Sequence, residues 1–323
     1  MQQPASAGTS HQNGYMIMKR LIAAALVVMA SIAAHAQTAS RYEQRYDLLV
    51  SQFGLDGVGV QTVLDNWEKA DSTNAKMLQG KFMYYFTKAQ TGVVEPRPQK
   101  KYLGMDPVVT FKDSLGNDVH YFQINVFDDD LYAQAMKAAD KAVSMYPDKL
   151  EFRFMKANAY IAYEKESPDM ALDFLMGLAD ENLRRKASWE YEGAKIDQEF
   201  FQTAMQEYCF SFYTIGSPVA LEAFRALSEK LSVMFPDNMD FLTNLGSYHL
   251  IAKKDFKTAH KYYAKVLKAD PDNAAAIKNG LIASRTEKNV KQEKKYLQQM
   301  IKYGSESDRL QAEGRLKVLG SKK

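Results

Sequence analysis

Three histidines lie beyond residue 40, at His120, His249 and His260, and a run of carboxylates stands at Asp128-Asp129-Asp130. These are the side chains from which a metal site would be built. A transition-metal site needs three or four converging ligands, and the three histidines fall on different predicted elements. A calcium cage needs further oxygen ligands at defined spacing after the first carboxylates, and none follow Asp130. Carboxylates at the start of a helix have a simpler use: they accept the free backbone N–H groups and sit at the positive end of the dipole. Cys209 is the single cysteine, so no internal disulfide can form. It adjoins Phe201, Met205, Tyr208 and Phe212, which recur at helical spacing, and is expected as a small buried residue.

The sequence has no GxSxG elbow, no HExxH, no SxxK and no GxxxxGK[ST] phosphate loop. Gly57-Val58-Gly59 is a lone GxG, better explained as a turn between helices. Trp67, Trp189 and the tyrosines could stack on sugars, but at helical spacing they serve inter-helix packing. The expectation is a non-enzymatic protein with no cofactor and no metal.

At 323 residues, 25% charged and 46% hydrophobic, the composition is that of an ordinary globular protein. A mean hydropathy of −0.39 excludes a polytopic membrane protein. From Lys253 to Lys323 there are 18 Lys/Arg against 8 Asp/Glu, a surplus of ten within a net charge of +3. With Lys19 and Arg20 also set aside, residues 37–252 carry −9. An acidic body thus precedes a basic end, which suits a solvated face or attraction to an anionic surface.

The first 36 residues read as a leader. Met18-Lys19-Arg20 is a cationic start, Leu21 to Ala34 is apolar, and Ala34-His35-Ala36 gives the small-x-small cleavage pattern. Residues 1–17 look like an upstream extension. Export to the periplasm of a Gram-negative bacterium is expected, with no transmembrane span after cleavage and no nucleic-acid partner.

The elements that carry these side chains repeat. Met145-Tyr146-Pro147-Asp148 is echoed by Met234-Phe235-Pro236-Asp237, and Glu151-Phe152 by Asp240-Phe241. A third Pro-Asp turn arrives at Pro271, 35 residues after Pro236. Leu245 and Gly246 in one helix, Ala259, Tyr263 and Val266 in the next, and Pro271 at its end make this stretch resemble the tetratricopeptide repeat, a 34-residue helix–turn–helix unit. One residue is added in the turn "AKKDF", and His249 falls near a packing position usually aromatic. The next unit keeps Ile277, Leu281, Leu297 and Met300, and puts Glu293 where a small residue is usual. Ala135, Ala139, Ala142 and Pro147 match a second helix, and Ala157, Tyr160 and Ala171 a further pair. An irregular helical insert is expected from Lys186 to Ser217, and a capping helix at the end of the chain.

In residues 108–126 the period changes to two around Gly116-Asn117, predicting a β-hairpin. The expected layout is therefore a leader over 1–36, a helical region over 37–127 with that hairpin, and helical repeats over 128–323. The fold class is all-α, a tetratricopeptide-like α-α superhelix (solenoid) with a helical N-terminal region and the small inserted hairpin.

The resemblance implies a concave groove lined by first helices, which binds a protein or peptide partner. The positions matching its groove-facing set are Asn158, Asn244, Ser247, Lys278, Asn279 and Arg285. The family's carboxylate-clamping subset needs a fuller Lys/Asn/Arg set, and Phe154 stands where a basic residue would be wanted. The alternative reading is association of the basic C-terminal repeats with an anionic membrane or polysaccharide.

Overall fold

Aspartate and asparagine side chains start most of the helices. Asn74, Asp128, Asp197, Asn238, Asp255, Asn273 and Asn289 each accept a backbone N–H of the first turn. The computed structural model describes residues 40–185 and 188–321, so the expected leader and its cleavage point lie outside the described residues.

Two compact units are formed. The first contains residues 40–91 and Phe127–Pro147. Its helices are α1 (residues 40–53), α2 (Val60–Ala70), α3 (Ala75–Lys88) and α4 (Asp129–Met145). The boundary read at 127/128 falls between α3 and α4, which pack on one another. Ala135, Ala139 and Ala142 of α4 are fully buried, as their small size allows. The Asp128 N–H donates to the Ala89 carbonyl at 2.8 Å, so the ends of the intervening segment are tied together.

That segment carries β1 (Gln90–Arg97), β2 (Val109–Lys112) and β3 (Asp118–Phe127) in sheet order β1-β3-β2. β2 and β3 form the antiparallel hairpin, pairing Val109 with Tyr121 and Lys112 with Asp118. Its loop is longer than a two-residue turn. The Asp113 carboxylate accepts from the N–H groups of Leu115 and Asn117, and Gly116 takes φ +83°. β1 is an unanticipated third strand; it lies at an edge, the position in a sheet that tolerates a proline such as Pro96. Phe122 and Ile124 bury one face against Tyr102, Val93 and Leu103.

The second unit holds Gly92–Val126 and the residues from Asp148 onward. Its helices come in pairs: α5 (Leu150–Glu164) with α6 (Asp169–Arg185), and α7 (Gln198–Ile215) with α8 (Pro218–Met234). Next come α9 (Met239–Tyr248) with α10 (Phe256–Ala269), α11 (Ala274–Thr286) with α12 (Val290–Tyr303), and finally α13 (Glu306–Ser321). Each turn inside a pair contains one residue of positive φ: Lys165 at 56°, Gly216 at 70°, Lys254 at 52° and Lys288 at 59°. The residue before each repeated proline is alike as well. Tyr146, Phe235 and Asp270 have φ of −124°, −126° and −131°, because a following proline bars the α region.

The stretch expected as an irregular insert is corrected by α7, a regular helix of 18 residues. Phe201, Met205, Tyr208, Cys209 and Phe212 bury its inner stripe, Asp197 caps its start, and Gly216 ends it. Ser217 and Pro218 then begin α8. Before α7, Glu190–Tyr191 and Ala194–Lys195 pair around Glu192 and Gly193, both at positive φ. The one-residue excess in the 35-residue interval is taken up by a π-turn over His249–Lys253, which extends α9.

Candidate functional site

The first helices of successive pairs are joined by a row of polar side chains. Between α7 and α9, Gln202 accepts from Asn238 Nδ2 at 2.9 Å, and Gln206 and Asn244 exchange amide hydrogen bonds of 3.1 and 2.8 Å. The Asn244 amide also donates to the buried Ser228 hydroxyl of α8 at 3.2 Å. Between α9 and α11, Asn279 Nδ2 donates to Ser247 Oγ at 3.0 Å. Between α11 and α13, the Lys278 ammonium lies 3.2 Å from Asp308. Buried amides need such partners, since an unpaired one costs about 1–3 kcal/mol.

Five of the six residues predicted for partner contact are therefore held within the chain. Asn244 is buried, Ser247 and Asn279 bond each other, and Lys278 pairs with Asp308. Arg285 donates from Nε to Glu293 at 2.9 Å. The sixth, Asn158, is exposed on α5. Sequence reasoning does not single out Gln202, Gln206 or Asn238. The available signal is that Gln202, Gln206 and Phe210 recur every four residues, beside the apolar stripe of α7 rather than within it.

Continued along each helix, the polar row meets exposed apolar side chains. On α7 the series Gln202, Gln206 leads to Phe210, 57% exposed, and Tyr213, whose rings stack at 6.1 Å. On α9 the series Asn244, Ser247 leads to Ile251, and on α11 Asn279 is followed by Ile282, 53% exposed. Helices α7, α9 and α11 pack in sequence along this face.

Close approach of the helices depends on two glycines. A Cβ on Gly246 would stand 2.9 Å from Cδ1 of Tyr263 and nearer still to Cε1. A Cβ on Gly280 would stand 2.8 Å from Cδ1 of Tyr296, again with Cε1 closer. Tyr263 follows Gly246 by 17 residues and Tyr296 follows Gly280 by 16, the difference being the π-turn residue. Burial pushes the Tyr296 hydroxyl up to about 12. Glu293, 4% exposed, is accommodated by charge: it accepts from Arg285 of α11 and from Arg315 Nε of α13 at 2.8 Å. The Arg315 hydrogen bond, opposed by burial and aided by Arg285, holds its carboxyl below the usual range.

The other candidates stay apart. His120 bonds Thr110 across the hairpin at 2.8 Å, and His249 stacks on Tyr262. His260 bridges Tyr296 Oη at 3.0 Å and Glu287 at 2.9 Å. Asp128 caps α4 by accepting from the Leu131 N–H at 2.9 Å. Cys209 is fully buried, and that burial pushes its thiol up to about 12. Trp189 is buried with its indole N–H donated to Asn182 at 2.9 Å, and the guanidinium groups of Arg153 and Arg185 each lie over its ring. Among the described residues no three His, Cys, Asp or Glu side chains converge to hold a metal ion, and no helix is long and apolar enough to cross a membrane.

Compared with known proteins, the chain matches no family model and no curated sequence.

Proposed function

We propose that this protein is an exported, non-enzymatic scaffold of the tetratricopeptide type, which binds a protein or peptide partner along its first helices. The pairs α5/α6 to α11/α12 are read as stacked repeats of one solenoid, with a concave side formed by α7, α9 and α11. The observation that carries this reading is the exposure of Phe210, Tyr213, Ile251 and Ile282, which follow the polar residues along α7, the extended α9 and α11. Apolar side chains grouped at one surface mark interaction sites. The row itself fixes the spacing of the helices, so Asn244, Ser247 and Asn279 act by positioning, while Asn158 and these apolar side chains offer free contacts. The leader expected over residues 1–36 is the ground for a periplasmic location.

Co-purification of the crosslinked mature protein from periplasm tests the proposal. One specific protein should be recovered, and recovery should fall with Phe210→Ser or Ile282→Ser while helical content is unchanged. Recovery that is indifferent to both substitutions would contradict it.

A second reading has its own support. Lys257, Lys261 and Lys265 of α10 and Lys291, Lys294 and Lys295 of α12 are exposed, with no ion pair to any of them among the described residues. Docking of this basic end on an anionic membrane or polysaccharide predicts salt-sensitive flotation with anionic vesicles.

A further inference from the structure

Helix α1 sorts its charges by face. Glu43 and Asp47, one turn apart, both pair with Lys76 of α3, at 2.9 and 2.8 Å. Arg41 and Arg45 are also one turn apart but offset by two residues, which at 100° per residue places them on the far side of the helix. Both arginines are exposed, and among the described residues neither is paired with a carboxylate. Like charges at this spacing repel, and the two acids of the helix, Glu43 and Asp47, are turned to Lys76 rather than to the arginines.

The two guanidinium groups line a cleft of about 580 Å³ between α1 and α2. Thr62 and Asn66, one turn apart on α2, face them, and Tyr42 and Val63 supply an apolar wall. Among the described residues no carboxylate lines the cleft. The nearby acids are engaged elsewhere: Asp65 and Glu68 both pair with Lys81. Asp56, the remaining carboxylate of residues 40–70, is not among the lining residues.

We propose that this cleft is a binding site for a phosphomonoester. Two adjacent arginines match one dianionic tetrahedral group, to which guanidinium forks bond in pairs. A single carboxylate would leave one of them uncompensated. The Thr62 hydroxyl and Asn66 amide supply further neutral hydrogen-bonding groups at the opposite wall. The volume exceeds that of a bare phosphate and falls in the range of small-molecule sites, leaving room for an organic moiety beside Tyr42. The site lies in the first unit, so it is independent of the partner face of the second.

Thermal unfolding and calorimetry of the purified protein test it, at low ionic strength with sodium chloride as the matched control. The probes are inorganic phosphate, glucose 6-phosphate and vesicles containing phosphatidic acid. Ligand binding to the folded state raises the unfolding temperature. Glucose 6-phosphate should do so beyond the salt control, and Arg41→Gln/Arg45→Gln should weaken its binding at least about tenfold, as expected for loss of charge-assisted bonds. A response shared by phosphatidic acid assigns the group to a lipid headgroup as well as to a soluble ester. Circular dichroism of the double variant checks that folding is intact, which the exposure of both arginines favours. No response to any probe, or one that persists undiminished in the double variant, overturns the proposal.

Discussion

The ring of Tyr263 fills the space that a side chain on Gly246 would need, and Tyr296 stands in the same relation to Gly280. Both rings are buried and cannot swing away. In a helix interior, replacing glycine by alanine ordinarily stabilises by roughly 0.5–1 kcal/mol. Here overpacking opposes that gain at about 1–3 kcal/mol, so Gly246→Ala and Gly280→Ala should each destabilise the fold. Urea denaturation checks the sign. In a Tyr263→Leu background the penalty of Gly246→Ala should shrink, since the two residues share one space.

Asn244→Ala removes the reciprocal partner of Gln206 and leaves the Ser228 hydroxyl without the donor that reaches it. Loss of a buried polar partner costs about 1–3 kcal/mol. In a double-mutant cycle with Gln206→Ala, measured by chemical denaturation, the two losses should be strongly non-additive.

Much of this architecture can be read from the chain. The proline turns, the small residues at Gly246 and Ala259, and the alternation of Phe122, Ile124 and Val126 are local signals, and they locate helices and a hairpin where these are found. Less legible are features that depend on distant partners. Glu293 reads as a misfit until Arg315, 22 residues on, is seen to satisfy it. Gly280 and Tyr296 are overlooked because the π-turn shifts the preceding unit by one residue. β1 lacks alternation and contains a proline, so nothing local marks it as a strand. Of the candidate site, the positions of Asn244, Ser247 and Asn279 are legible, but not that they bond one another or Gln206.

Acid should loosen the helix pairs. Hydrogen bonds from Tyr248, then from Lys253, hold the Glu222 carboxyl at about 2 against its ordinary 4.5. Arg315 depresses Glu293 in the same direction. A carboxylate whose value is lowered by folding stabilises the protein fully above its unfolded value, and that stability is lost as pH falls toward the folded one. The urea midpoint should therefore decline from about pH 5 to about pH 2.5. Glu222→Gln and Glu293→Gln should each flatten the decline. Added salt should reduce the Glu222 contribution more, because that side chain is half exposed while Glu293 is buried.

Lys254 and Lys288 adopt positive φ in equivalent turns. For residues with a Cβ the left-handed region costs roughly 1–2 kcal/mol, partly offset in glycine by greater chain entropy. Lys254→Gly and Lys288→Gly should each raise stability by about 0.5–1 kcal/mol, visible as a higher unfolding temperature.

The partner role is tested most directly by a photocrosslinking amino acid placed, one site at a time, at Phe210, Ile282 and Val233. Val233 is the most exposed of the three, but it belongs to α8, a second helix. Irradiation of cells producing the protein should give one common adduct from positions 210 and 282 and none from 233. Equal adducts at all three positions, or an adduct from 233 alone, would show that the first-helix face is not the docking surface.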